Sequence, residues 1–120
     1  MLNNISSTYI ANIEEKINYT FNDKGLLLRS LTHSSYAHDN SLDYNYERLE
    51  FLGDAVVELV ITEYLVKKYP DFQEGDLSIL RAYIVNSSAL FEISKKIDLS
   101  SNILLGKSEF NGVDNIKKAI

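Results

Sequence analysis

The stretch Tyr46-Glu47-Arg48-Leu49-Glu50-Phe51-Leu52-Gly53-Asp54-Ala55-Val56 decides how the rest of this 120-residue chain is read. Within it, Glu47, Glu50 and Asp54 recur at i, i+3 and i+7. At about 100° per residue they fall near 0°, 300° and 340°, in one narrow sector of a helix. Glu58 returns at about 20° and extends the row by a turn. Leu49, Phe51, Leu52, Ala55, Val56, Val57, Leu59, Val60 and Ile61 take nearly every other direction. The helix therefore reads as apolar almost all round and is expected to be buried.

Carboxylates in such a helix are costly. An ionised acid removed from water without a partner loses several kcal/mol, and like charges side by side add to the loss. Arg48 neutralises at most one of them. A solvated acidic stripe, or ion pairs with bases elsewhere, is one resolution. The other is a divalent cation with oxygen ligands suited to magnesium or manganese. Spacing alone leaves both open.

The residue types are more specific than their spacing. Glu47 to Ala55, E-R-L-E-F-L-G-D-A, resembles the signature sequence of the ribonuclease III family. Upstream, Leu31-Thr32-His33-Ser34-Ser35-Tyr36 resembles the T-H-x-S segment of that family. Downstream, Glu74-Gly75-Asp76-Leu77-Ser78-Ile79-Leu80-Arg81-Ala82 and then Leu104-Leu105-Gly106-Lys107 resemble its next two segments. The four come in the family's order. The compact relatives called mini-ribonuclease III carry a different signature, so the resemblance is to the ordinary class.

That resemblance implies an all-α endonuclease domain, a helical bundle of the ribonuclease III type, over residues 1–120. It implies hydrolysis of phosphodiesters in double-stranded RNA, as in rRNA and mRNA maturation, with Mg2+ or Mn2+ as cofactor and a homodimer as the working form. Glu50 and Asp54 match signature carboxylates that are catalytic and lie in the metal site. Glu47 matches an acid tied to subunit contact and RNA placement, and Glu74 the downstream acid with a similar auxiliary role. Phe51 matches an aromatic that plugs into the partner subunit; an ordinary core phenylalanine is the other reading of it.

The sequence departs from the family's full pattern in two respects. The family's second acidic pair, D-x-x-E, begins about where these residues stop, and Glu109 and Asp114 stand in the wrong context to replace it. No double-stranded RNA-binding domain is expected within these residues either. The expectation is a piece of a longer enzyme. The alternative is a non-catalytic ribonuclease III-like module that binds RNA or a ribosomal partner, and a third reading is an acidic interaction module with no RNA role.

Composition constrains the class without choosing the chemistry. Hydrophobic residues make up 45% and charged ones 24%, as in an ordinary soluble domain. No apolar run approaches the ~18 residues of a membrane span, and the N-terminus lacks the basic-then-apolar layout of a secretory signal. The absence of cysteine excludes disulfides and thiolate-bound zinc and fits a cytoplasmic protein. Seventeen acidic against 12 basic residues give a net charge of -5, which opposes phosphate binding unless metal ions invert the local sign.

Outside the central stretch, Tyr9, Ile10, Ile13 and Ile17 predict a short first helix. Asn22 or Asp23 caps a second that carries Leu26, Leu27, Leu28 and Leu31. Thr32 to Asn45 reads as a loop in which His33 is a structural hydrogen-bonder. The central helix is expected from about Asn45 to Lys68, ended by Tyr69-Pro70. Gly53 inside it suggests close helix packing or room for a metal or phosphate. One long helix is expected from Asp76 to Ile97, a loop from Ser100 to Gly112, and a last helix after an Asp114 cap.

Overall fold

The structure, a computed structural model, describes residues 5–109, so the helix expected after Asp114 lies outside the described residues. Six α-helices follow one another: α1 (Ser7–Ile17), α2 (Lys24–Ser30), α3 (Ser34–Asp39), α4 (Glu47–Lys68), α5 (Glu74–Ile84) and α6 (Ser87–Lys96). A 3-10 turn, Ser100–Asn102, comes after them. The all-α expectation holds, and no strand forms among the described residues beyond one isolated bridge, Thr32 to Leu104.

Local chemistry sets the helix ends. Ser6 caps α1 through the Thr8 N–H, and Asp23 caps α2 through the Leu26 N–H. Gln73 and Asp76 form a reciprocal capping box at the start of α5. Asn45 accepts the Glu47 N–H at 2.9 Å, and Tyr69, next to Pro70, closes the far end of α4.

Ile13, Leu27 and Leu31 make the core, with Tyr9, Ile10, Phe21 and Leu99 packed around them. Thr32 is wholly buried and ties three segments together. Its hydroxyl donates to the Leu28 carbonyl at 2.7 Å, and its own carbonyl accepts from Tyr46 N–H at 2.9 Å. On either side of it, His33 N–H donates to the Leu104 carbonyl and Leu104 N–H to the Leu31 carbonyl. These bonds anchor the first turn of α4 to the core.

Three expectations are corrected. The segment Thr32 to Asn45 contains α3, which His33 caps by accepting the Ser35 N–H through Nδ1. The helix expected from Asp76 to Ile97 is two helices, broken at Val85 and Asn86. Finally, α4 is not buried: Leu65 is its one buried residue, and Phe51 is 85% exposed and Leu59 67%. Only α5 packs extensively along α4 among the described helices, held partly by Arg81 donating to Thr62 Oγ1 at 2.9 Å. Phe51, Leu52, Val56, Leu59 and Val60 on α4 stay exposed among the described residues.

Candidate active site

The acid row lies on the N-terminal half of α4. Glu47, Glu50, Asp54 and Glu58 are all exposed, so the expected problem of buried like charges does not arise. Residues four apart on a helix place their Cβ atoms about 5–6 Å apart, so Glu50 and Asp54 are lateral neighbours.

These two line an open cleft of about 710 Å³ together with Glu47, Phe51, Gly53 and Val57. Its opposite wall is the break between α5 and α6: Val85, Asn86, Ser87 and Leu90. Gly53 helps make the room. A β-carbon there would meet nothing within 4 Å, so close helix packing is not its reason. No described helix packs closely against Gly53, which leaves free space beside Asp54.

Beneath the row, Tyr46 and Glu50 border a smaller apolar cavity of about 280 Å³ with Leu31, Leu49, Leu99 and Ile103. Burial, and then the charges of Glu50 and Glu47, push the Tyr46 phenol up to about 12. Tyr46 is therefore a neutral hydroxyl at any physiological pH. The His33 ring meets the Tyr46 ring edge-on at 5.7 Å. With its Nδ1 at 2.7 Å from Ser35 Oγ, His33 is occupied structurally, as expected.

The other expected site residues are placed differently. Glu74 sits at the start of α5, where its carboxylate accepts from Ser78 Oγ at 3.0 Å, and it does not line the cleft. Phe51 borders the acid cleft and also a second groove of about 1000 Å³ that includes Arg29, Tyr44 and Arg48. Phe51 is 85% exposed, so none of the described residues builds a core around it.

Among the described residues, no three His, Cys, Asp or Glu side chains come together as a group able to hold a metal ion. Glu50 and Asp54 fit a cation of one type. Magnesium is commonly held by one or two carboxylates, its remaining positions taken by water and substrate phosphate. Hard oxygen donors of this kind suit magnesium or manganese and disfavour soft metals.

Reading the sequence missed the far wall. The signal was present: Asn86-Ser87-Ser88 is a run of cap-forming residues in the middle of what otherwise scans as one helix.

The family model described as Ribonuclease-III-like matches residues 23–119. The chain is 50% identical over 99 residues to the Ribonuclease 3 of a Sulfurovum species, covering 82% of this chain and 43% of that protein. It is 52% identical over 98 residues to the Ribonuclease 3 of Caldanaerobacter subterraneus, covering 81% and 43%. The chain thus spans about two fifths of the length of these relatives. A solved nuclease domain of ribonuclease III from Campylobacter jejuni superposes with a TM-score of 0.82 at 43% identity, over 92% of this chain and 74% of that one. That structure is described as showing flexibility in the region involved in dimer formation.

Proposed function

This chain belongs to the ribonuclease III family, and from that premise we propose that it is the catalytic part of an endonuclease that hydrolyses phosphodiesters in double-stranded RNA. The observation that carries the proposal is the pairing of Glu50 with Asp54 on an open cleft whose floor Gly53 leaves clear.

Glu50 and Asp54 are the catalytic carboxylates in this reading, and they would hold Mg2+ or Mn2+ through oxygen. A bound ion of this kind lowers the pKa of its water and stabilises a departing oxygen. The chain's own part is to fix two carboxylates on one rigid helix, so that little reorganisation is left for the reaction. Glu47 stands one turn before them at the cleft edge and orients the RNA or the second subunit. Glu74, away from the cleft, acts on subunit or RNA placement.

The net charge of -5 makes metal-bridged phosphate recognition the coherent mode, since the acid face alone would repel a backbone. A-form RNA offers phosphates and 2′-hydroxyls along a shallow minor groove, so recognition is by shape and not by base sequence. Two copies related by a twofold axis would set two acid clefts along one duplex, with Phe51 of each inserted into the other. Among the described residues no helix is long and apolar enough to cross a membrane. A cytoplasmic enzyme of rRNA and mRNA maturation fits these features.

The test uses the full-length natural protein and plain double-stranded RNA with magnesium. Glu50→Gln and Asp54→Asn should each abolish cleavage while circular dichroism stays unchanged. Normal turnover in either variant would overturn the assignment. A wild type that binds the duplex without cutting it would favour the non-catalytic module, for which the lack of a three-ligand group among the described residues is the supporting observation.

A further inference from the structure

One side chain ties the wall facing Glu50 and Asp54 to both helices that meet there. Asn86 donates through Nδ2 to the carbonyls of Ala82 at 3.0 Å and Tyr83 at 2.8 Å, both in the last turn of α5. Through Oδ1 it accepts the Ala89 N–H at 2.9 Å, in the first turn of α6. A single planar amide thus satisfies orphan groups at two helix ends that no intrahelical bond can reach. Its backbone is extended, with φ -140° and ψ 161°, so the chain changes direction at this residue.

No other common side chain does both jobs in this space. Serine caps α6 as well as asparagine but lacks the paired amide donors. Aspartate has no donor when ionised and would add charge beside three acids. Glutamine is longer by a methylene. Asn86 and its neighbours Val85, Ser87 and Leu90 form the cleft side opposite the carboxylates. All of the amide's bonds shown here run to backbone, so its influence on a bound duplex is exerted through the wall.

We propose that Asn86 is a positioning residue, which sets the angle between α5 and α6 and thereby the width of the cleft opposite Glu50 and Asp54. The inference rests on the endonuclease reading of that cleft. A wider cleft still binds duplex but holds the scissile phosphate less closely to the carboxylates, and near-attack geometry is sensitive to displacements of about 1 Å.

The deciding variant is Asn86→Ser, which keeps the α6 cap and removes the amide ties to α5. In the full-length protein its melting temperature should fall by only a few degrees, because the cap is kept and the two bonds lost are solvent-exposed. Its kcat on double-stranded RNA should fall about tenfold with KM within about twofold, a split that mere loss of stability does not produce. Asn86→Ala should lose both stability and kcat. A crystal structure of Asn86→Ser should show α6 rotated away from α4. An unmoved α6 overturns the proposal whether or not the wild type cuts RNA, as does wild-type kcat in Asn86→Ser. A wild type that does not cut removes the endonuclease reading instead, and the crystal structure then decides whether Asn86 sets the wall.

Discussion

Gly106 lies so close to Ser35 that a β-carbon on it would stand 2.7 Å from the Ser35 carbonyl oxygen. The approach is built by two side chains of α3 that capture successive amides of the returning chain. Ser35 Oγ accepts the Gly106 N–H at 2.8 Å, and Asp39 accepts the Lys107 N–H at 2.9 Å. Together with the Leu104 bonds on either side of Thr32, they close residues 104–107 onto the T-H-x-S segment.

Gly106→Ala should therefore destabilise the fold by about 1–3 kcal/mol, the ordinary scale of overpacking. The obstructing atoms at Ser35 are backbone, so Ser35→Ala should not rescue it. Gly106 has no positive φ, so the need for glycine here is room alone. Urea unfolding checks this, and a Gly106→Ala variant as stable as wild type would show that the two segments can separate at little cost.

Gly53 is the opposite case. It is helical, and a β-carbon there meets nothing within 4 Å. Gly53→Ala should stabilise the protein by up to about 1 kcal/mol, because the unfolded chain loses freedom and the helix gains a better former. If the cleft beside Asp54 holds substrate, the same methyl should reduce cleavage. A variant both more stable and equally active would mean that the free space at Gly53 is not used.

Acid should weaken the fold through three carboxylates. A bond from Lys24, then the Phe21 N–H, holds Glu14 below its ordinary 4.5. The Lys107 N–H holds Asp39 below 3.8, and Lys16, then Ser101, does the same for Asp98. Each folded pKa is depressed, so the unfolded chain binds more protons as pH falls. Their stabilisation is complete above about pH 5 and is lost as pH drops through the ordinary carboxylate range towards the folded values. Glu14→Gln should be less stable than wild type at pH 7, and the difference should shrink as pH falls below the ordinary carboxylate range. A difference that stays constant as pH falls would show that Glu14 carries no linkage.

Much of this was legible in the sequence because the informative features are local. The Asp23 cap, the α4 boundaries and the acid row follow from residues a few positions apart. The α5–α6 break was hidden because Leu80, Ile84, Phe91 and the rest keep helical periodicity across it, and only the Asn86 amide shows that the chain turns. The burial of α4 was misjudged for a different reason. An apolar surface records that something covers it, and Phe51 and Leu59 carry no information on whether that cover belongs to the same fold. Glu74 shares the acidic character of the row but sits on another helix, a separation that no spacing rule conveys.

The uncovered surface leads to the last prediction. Phe51 at 85% exposure contributes almost nothing to the core that the described residues form, and Tyr83 on α5, at 75%, is nearly as open. Exposed apolar residues contiguous along one helix are the pattern of an interface, and a buried aromatic anchor is its usual energetic centre. If Phe51 inserts into a second copy, Phe51→Ala should weaken dimerisation by about 10–100-fold, the scale of a hot-spot truncation. The folded monomer should lose less than about 0.5 kcal/mol, as for a surface substitution. Sedimentation across a dilution series checks the first expectation. Thermal melts check the second: wild type should melt higher as concentration rises, and Phe51→Ala should show that dependence only at much higher concentration. A variant that dimerises like wild type would leave the exposed ring without a partner subunit to fill.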